Sequence, residues 1–338
     1  MDVMQLVLKV AVLFIMMVPG IALNKCKLIG DNFGKGISNL VLYIAQPALI
    51  VVAYLDCTLA FSEIWLNILL VFIFSVIAHI IFSVVAMLLF GKAPDDRRRM
   101  LRFATIFSNA AFMGIPLIES LYGAEAAIYA SVYNITFNLF LWTLGVYLCT
   151  RVPGEDLDGD GDSDIKDELL AVHKTAKSEV SLKKVVLHPV TLASVVGVIC
   201  LVCGVNNASV DLGVLAESLS MLKSLVAPLS MTIIGIRLAD INFKGFFNDV
   251  DMYIFIALRH IALPLAVLGI IKLVSFVTPI PVLVSDVIII LAATPAASSA
   301  TMFAEKYDCD AAYVSRLVAV STILSIGTMP LVLMLAHL

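Results

Sequence analysis

The sequence has few charged residues. Only 14% of its 338 residues are Asp, Glu, Lys or Arg, against roughly 25% in ordinary soluble domains, while 61% are apolar. The formal net charge of −4 excludes a nucleic-acid-binding protein, because DNA and RNA binding needs a basic surface. A chain this apolar is predicted to lie in a lipid bilayer, and it is neither disordered nor an ordinary soluble protein.

Cysteines and catalytic motifs are also scarce. The six cysteines are dispersed over different predicted loops and helices, which excludes a secreted disulfide scaffold. Cys200 and Cys203 form a C-x-x-C inside one predicted helix, where the spacing indicates packing and not redox chemistry. The sequence contains no P-loop, no H-E-x-x-H and no paired catalytic carboxylates, so it predicts neither an enzyme nor a cofactor.

Long apolar runs dominate the chain. A helix that crosses about 30 Å of hydrocarbon needs about 20 mostly apolar residues, and the sequence contains ten runs near this length. The fourth and ninth runs are more polar than the others and are interrupted by glycine or proline. The ten predicted spans are Val3 to Leu23, Ile37 to Leu55, Ile64 to Phe90, Arg102 to Leu121, Ala126 to Cys149, Val186 to Cys203, Val214 to Leu238, Met252 to Val274, Val282 to Phe303 and Ala311 to Leu335.

Lys and Arg residues lie in the loops of one side of the predicted membrane. The opposite loops, around Thr58, Gly123, Asn206 and Pro279, carry essentially none. By the positive-inside rule the basic side is cytoplasmic. We therefore expect a multi-pass protein of the cell membrane, with both termini external and the 150–187 linker cytoplasmic.

A short pattern occurs twice in the sequence. Residues 122–127 read Y-G-A-E-A-A and residues 307–312 read Y-D-C-D-A-A, each preceded by a proline, Pro116 or Pro295. Five spans separate the copies, and an odd number inverts one copy relative to the other. The pattern predicts an all-α fold with a 5+5 inverted repeat. Its predicted parts are a first five-helix repeat at 1–149, an acidic linker at 150–187 and a second repeat at 188–338.

The linker contains a run of alternating aspartates. Its spacing matches the loop of a calcium-binding EF-hand, although Ser163 replaces the usual apolar residue and an Asp replaces the final Glu. A solvated acidic run that keeps the linker extended explains the same residues. The weak calcium candidates are Asp156, Asp158, Asp160, Asp162 and Asp167.

Two spans carry a proline well inside the membrane. Backbone groups freed by Pro116 and Pro295 are tolerated only in a protein interior or beside a cavity. Because the prolines occupy corresponding positions of inverted halves, they predict one shared midplane site, with the second half-helices beginning near them. Each helix start carries about half a positive charge, which favours an anion. The candidate binding residues are Gln46, Asn109, Gly114, Pro116, Thr294, Pro295, Ser298 and Ser299, although Ser and Thr hydroxyls also bond backbone carbonyls for purely structural reasons.

A few ionisable residues lie inside other predicted spans. Arg259 either attracts anions to the inner vestibule or pairs with an acidic neighbour. His79 is either a satisfied interior histidine or a proton relay. Glu119 is a candidate for ion coupling that also lies close to external water, and Lys223 is expected to snorkel or to line the outer vestibule.

The segments around the two prolines resemble the auxin efflux carrier family. These segments are N-A-A-F-M-G-I-P-L-I-E-S-L at 109–121 and A-A-T-P-A-A-S-S-A-T-M-F-A-E-K-Y at 292–307. The family includes the plant PIN-formed proteins and bacterial malate or malonate permeases. The resemblance implies a sodium/proton-antiporter-like fold of ten helices, with a scaffold domain, a transport domain and two crossed proline-broken helices. It also implies a homodimer, and a role for Asn109 in holding a substrate carboxylate.

These observations predict a secondary carrier of small organic anions that works by alternating access, with a proton or sodium as a possible coupling partner. One alternative is a sodium- or proton-coupled symporter of the bile-acid class, which would need a cluster of acidic or amide ligands near the crossing. Another is a membrane sensor with a transporter-like fold, in which the acidic linker carries the signal. The sequence leaves the cargo and the direction of net transport open.

Overall fold

The computed structural model describes residues 3–30, 32–90, 93–150, 186–206, 213–239 and 249–337. Within these ranges the chain forms helices and no strand beyond one isolated β-bridge. The helices are α1 (Val3–Ile15), α2 (Val18–Lys25), α3 (Phe33–Leu55), α4 (Phe61–Leu89), α5 (Asp95–Ile106), α6 (Ala110–Tyr122), α7 (Ala124–Thr150), α8 (Pro189–Val202), α9 (Gly213–Ala239), α10 (Val250–Ser275), α11 (Val282–Ala293), α12 (Ser299–Lys306) and α13 (Ala311–Ala336).

The described residues include seven helices that are long and apolar enough to cross a membrane. They are Val7–Lys25, which runs from within α1 to the end of α2, and α3, α4, α7, α9, α10 and α13. Three shorter helices, α6, α8 and α11, are also apolar. The prediction of an all-helical, multi-pass membrane protein is confirmed, while the number of ten spans stays a prediction.

The fourth and ninth predicted spans each consist of two helices. The first interruption, at residues 107–109, separates α5 from α6, and the second interruption, at residues 294–298, separates α11 from α12. The other eight predicted spans overlap helices of the structure with ends that differ by a few residues, because fraying ends carry little hydrophobic signal.

Three membrane helices contain a π-helical turn just before a proline. The π turns are Val41–Ala45, Ala110–Gly114 and Leu258–Ala262, and the prolines that follow are Pro47, Pro116 and Pro264. A proline ring inside an α-helix clashes with the carbonyl four residues earlier and leaves it without a donor. A π turn shifts the hydrogen bonding by one residue, so the helix can accommodate the proline ring without a break. Each of these helices is therefore wider at its π turn and continues past the proline.

The helices pack in two groups. α2, α3, α8 and α9 pack mainly on one another, and we call them the first group. α4 to α7 and α10 to α13, which include both interrupted spans, form the second group. The groups meet where α7 contacts α3 and α8 and where α9 approaches α6, while α1 contacts both.

Two glycines bring α2 and α9 into backbone contact. A Cβ atom at Gly20 would lie 2.1 Å from the carbonyl oxygen of Thr232, and a Cβ atom at Gly235 would lie 2.1 Å from the carbonyl oxygen of Met17. Small residues allow such close approach between helices in lipid, where packing replaces the hydrophobic effect as the force that holds helices together. The first group is therefore joined by a contact that tolerates no side chain at these two positions.

We expect Gly235→Ala to lower the free energy of unfolding by about 1–3 kcal/mol, because the added methyl group overpacks the contact with backbone atoms that cannot move aside. Gly269→Ala is the matched control, since a Cβ atom at Gly269 meets nothing within 4 Å and alanine favours a helix. Thermal unfolding of the purified protein in detergent would measure both changes. Equal stability of the two variants would contradict the close contact of α2 and α9.

The calcium candidates Asp156, Asp158, Asp160, Asp162 and Asp167 lie outside the described residues, as does most of the linker at 150–187. The predicted division of the chain into two five-helix repeats stays a prediction.

Candidate functional site

The two interruptions are hydrogen-bonded to each other. The backbone N–H of Asn109 donates to the carbonyl oxygen of Pro295 at 2.7 Å, and the N–H of Ala297 donates to the carbonyl oxygen of Phe107 at 2.8 Å. This pair forms a short antiparallel bridge between the interruptions. It supplies hydrogen-bond partners for backbone groups that would otherwise be unpaired in the membrane. The bridge fixes four helix ends around one point.

Pro116 does not lie at an interruption. It is the second residue of the straight part of α6, after the π turn in which the N–H of Gly114 bonds the carbonyl oxygen of Asn109 at 3.1 Å. The second half-helix thus starts with a π turn at Ala110, and its α-helical part begins at Ile115, next to Pro116. Pro295 does lie inside its interruption, as expected.

Arg259 lies at the ends of the two half-helices that lead into the interruptions. Its guanidinium donates to the carbonyl oxygens of Ala292 and Thr294, at 2.9 and 2.8 Å, from Nη2. Nη1 donates to the carbonyl oxygen of Thr105 at 3.1 Å. The side chain is fully buried, and its guanidinium carbon lies 5.3 Å from the centre of the Phe82 ring. One cation therefore bonds the last carbonyls of both α5 and α11.

This arrangement differs from both sequence-based expectations for Arg259. The residue does not face a vestibule, and the hydrogen bonds of its guanidinium go to carbonyl oxygens and not to a carboxylate. Helix C-terminal ends carry partial negative charge, which a buried guanidinium with several N–H groups can neutralise. Arg259 thus stabilises the negative ends of α5 and α11. The positive starts of α6 and α12 receive no opposite charge from these contacts.

The starts of α6 and α12 carry polar atoms without partners. Asn109 precedes α6, is 2% exposed, and its Nδ2 has no hydrogen-bond partner. Ser298 directly precedes α12 and Ser299 is its first residue, and the hydroxyl oxygen of each is buried without a partner. Buried polar groups are almost always bonded, so unpaired ones beside two positive helix ends indicate a place for a ligand or for water.

Gln46 reaches the same region from the first group. Its Nε2 donates to the carbonyl oxygen of Ala111 in the first turn of α6 at 2.6 Å, and its Oε1 has no partner. Gln46 is 1% exposed. The structure therefore places this predicted residue next to the start of α6.

Thr294 and Gly114 have packing contacts at the bridge. The Thr294 hydroxyl donates to the carbonyl oxygen of Leu291 at 2.8 Å, so its proton is not available to an anionic ligand in this structure. A Cβ atom at Gly114 would lie 2.5 Å from Cδ2 of Leu291 and 3.3 Å from Cγ2 of Thr294. Gly114 thus allows α6 to lie directly against the end of α11.

His79 lies in an aromatic environment in α4. Its Nδ1 is 2.7 Å from the carbonyl oxygen of Ser75, and its ring stacks on Phe140 at 5.1 Å between centroids. The residue is fully buried, and its Nε2 has no hydrogen-bond partner. These contacts fit an interior packing role.

A cavity of about 1290 Å³ opens between the first group and α12 and α13, and we call it the basic cavity. The side chains that line it include Lys27, Lys35, Arg237, Lys306 and Arg316, with Glu305 as the carboxylate among the described lining residues. Such a surplus of cations attracts anions. The cavity reaches toward the second interruption, because Arg237 also donates from Nη1 to the carbonyl oxygen of Ser298.

A second cavity, of about 240 Å³, is lined in part by Pro116, and we call it the small cavity. It is lined by residues of α3, α6 and α9. In it, Nζ of Lys223 lies 2.6 Å from Oε1 of Glu119 and 3.6 Å from Oδ2 of Asp56. Glu119 and Lys223, two separate candidates in the sequence, are therefore an ion pair.

Sequence reasoning missed two features of this region. The role of Arg237 was not predicted, because a basic residue near the end of an apolar run indicates only the cytoplasmic side of the membrane. Asp286, 3% exposed in α11, accepts a hydrogen bond from the Tyr122 hydroxyl at 2.8 Å and lies 3.1 Å from Nε2 of His337. A single Asp in the apolar run of α11 was the available signal, because a carboxylate in a membrane span needs partners.

Comparisons with known proteins agree with a membrane protein of this kind. A family model described as a membrane transport protein matches residues 5–333. An uncharacterized transporter of Methanothermobacter thermautotrophicus is 27% identical over 232 residues, which are 68% of this chain and 66% of that protein. The aligned region thus spans just under two thirds of the relative's length.

Proposed function

The chain belongs to the membrane transport protein family, and we propose that it is a secondary carrier that moves small organic anions across the cell membrane by alternating access. The match covers nearly the whole chain, and it confirms the resemblance predicted from the sequence. The protein is therefore a transporter and not an enzyme. The cargo class and the mechanism are the proposal.

The observation that carries the proposal is that the negative and positive helix ends at the bridge have different partners. Arg259 neutralises the negative ends of α5 and α11. The positive starts of α6 and α12 instead carry the unpartnered polar atoms of Asn109 and Ser298. Two positive ends with an amide donor and a hydroxyl beside them bind a carboxylate well, because both the dipoles and the hydrogen bonds favour negative charge.

The proposed topology has ten spans. The seven long helices supply seven, and the shorter α8, the pair α5 and α6, and the pair α11 and α12 supply the others. This division supports the 5+5 inverted repeat and a sodium/proton-antiporter-like fold, since an interrupted span is then the fourth of each half. The positive-inside rule orients the basic cavity toward the cytoplasm.

Two packed groups with a cavity between them support alternating access. The basic cavity lies between α2, α3 and α9 on one side and α12 and α13 on the other, which belong to different groups. On the opposite side of the bridge, α6 and α9 are joined by the Glu119–Lys223 ion pair. In the proposed orientation the structure is thus open to the cytoplasm and closed to the outside.

The contacts of Arg259 disfavour a sodium-coupled symporter. The backbone carbonyl oxygens of interrupted helices are common ligands for a coupled sodium ion. The carbonyls of Thr105, Ala292 and Thr294 are already bonded to a guanidinium, whose charge repels a second cation. Efflux of an anion needs no coupled ion when the cell interior is negative, since the potential supplies about 2.3 kcal/mol per charge per 100 mV.

We expect one or more small mono- or dicarboxylates to raise the thermal unfolding temperature of the purified protein and to cross proteoliposomes that contain it. A ligand at a hundredfold excess over its Kd stabilises the folded state by about 2.7 kcal/mol, which a thermal-shift screen detects. The neutral amides of the same compounds are the control, because they fit the same space without charge. If no carboxylate shifted the unfolding or crossed the bilayer, with or without sodium and across pH, the assignment of organic anions would be wrong.

A further inference from the structure

The small cavity lies where the two helix groups approach each other away from the basic cavity. Glu119 is on α6 in the second group, and Lys223 is on α9 in the first. Their charged atoms are 2.6 Å apart, and each side chain is 22% exposed. The lining of the cavity includes Leu49 and Pro116, so the ion pair lines a space that extends along α6 toward the bridge.

Lys223 also has a second carboxylate within reach. Asp56 directly follows α3, in the same group as Lys223, and its Oδ2 lies 3.6 Å from Nζ. A carboxylate after the last turn of a helix is disfavoured by the helix dipole, so a nearby cation stabilises it. Lys223 is thus shared between a carboxylate of its own group and a carboxylate of the other group.

We propose that Glu119, Lys223 and Asp56 form the outer gate of the carrier, in which opening separates Glu119 from Lys223 while Asp56 keeps the cation. This inference rests on the proposed alternating access and adds the residues that close the outer route. Separation of the groups breaks the contact between α6 and α9. Because Lys223 and Asp56 belong to one group, they stay together during that motion, and their attraction becomes stronger once Glu119 no longer holds the lysine.

The shared lysine makes opening easier than an isolated ion pair would. Breaking an ion pair in a partly buried place leaves two poorly solvated charges, and that penalty is large when neither finds a new partner. Here Glu119 is partly exposed and turns toward water, and Lys223 shortens its distance to Asp56. The two carboxylates therefore act in opposite directions, with Glu119 favouring the closed state and Asp56 favouring the open state.

The test measures access to the small cavity from outside the cell. Leu49, 1% exposed in the closed structure, is replaced by cysteine as a reporter, and a membrane-impermeant maleimide is added to intact cells. The same protein without the reporter gives the background from its own cysteines. We expect Glu119→Gln to increase the labelling rate about fivefold, in keeping with the modest strength of a partly exposed ion pair.

Asp56→Asn distinguishes a gate from a merely stabilising ion pair. If Asp56 favours the open state, this variant lowers the labelling rate, opposite in sign to Glu119→Gln. Glu125→Gln is the matched control, since that carboxylate bonds the Tyr129 hydroxyl instead, and it should leave the rate unchanged.

Each result tests the gate independently of which cargo the protein carries. Faster labelling in both Glu119→Gln and Asp56→Asn would overturn the proposal, because it would mean general loosening, and so would an unchanged rate in Glu119→Gln. Labelling that rises only in inside-out vesicles would overturn the assignment of an outer gate. The assay needs no substrate. Opposite responses of the two variants without any anion flux would therefore support the gate and refute the proposed cargo. Normal anion flux with unchanged labelling would support the cargo and refute the gate.

Discussion

Replacing Arg259 with methionine is expected to leave little folded protein. Methionine fills similar space but cannot donate a hydrogen bond, so the carbonyl oxygens of Thr105, Ala292 and Thr294 would lose their guanidinium donor inside the protein. A hydrogen bond to a charged group is worth about 1.5–3 kcal/mol, and the loss of three is on the order of 5 kcal/mol. This is comparable to the total stability of many proteins, which is about 5–15 kcal/mol.

The removal of a buried charge also saves desolvation energy, but that gain does not balance the loss here. Replacing a buried ionic pair by apolar residues is neutral only when both partners are replaced. The partners of Arg259 are backbone carbonyls at the ends of α5 and α11, and they stay after the substitution. The half-helices would therefore end with unpaired negative ends facing each other.

Two further variants make the Arg259 prediction specific. Arg259→Lys keeps the charge but offers one compact ammonium, which cannot bond both helix ends in the way that a planar guanidinium does. We expect it to fold with reduced stability. Arg97→Met, at an exposed position of α5, should change stability by less than about 1 kcal/mol. Monodisperse Arg259→Met protein with the same unfolding temperature as the parent would show that the cation does not hold the interruptions together.

Much of the fold could be predicted from apolar run length, because the bilayer requires one run per crossing helix. The positions of α3, α4, α9, α10 and α13 follow the predicted spans closely. The interrupted spans were also found, since a helix break inside an apolar run is tolerated only where the protein interior or a cavity surrounds it. The physical requirement that backbone groups be paired in lipid makes these two features visible in a single sequence.

The details of the interruptions could not be predicted in the same way. Pro116 suggested a break at its own position, yet the chain absorbs it with a π turn and breaks seven to nine residues earlier. The partners of Arg259 lie on α5 and α11, up to 154 positions away in the chain, and no local pattern records such a contact. For the same reason, Glu119 and Lys223 were identified as notable residues but not as a pair.

Asn109→Ala is expected to weaken anion binding tenfold or more. Asn109 directly precedes α6, and its backbone N–H is committed to the bridge, which leaves the side-chain Nδ2 as a buried donor without a partner. A hydrogen bond to a charged ligand is worth about 1.5–3 kcal/mol, which corresponds to roughly tenfold to a hundredfold in affinity. Because the donor has no partner to lose in the free protein, its removal should leave the unfolding temperature without ligand nearly unchanged.

Asn67→Ala is the matched control for this prediction. Asn67 also donates from Nδ2, but to the Tyr129 hydroxyl at 3.0 Å in another part of the protein. It should lose some stability and keep its affinity, which is the opposite pattern to Asn109→Ala. Binding measured in nanodiscs, with the carboxylate identified by the thermal-shift screen, separates the two effects.

Equal affinity of Asn109→Ala and the parent would mean that the ligand does not contact this amide, and the positive end of α12 with Ser298 would then have to bind the anion alone. That arrangement is less favourable, because one helix end and one hydroxyl would replace two helix ends and an amide.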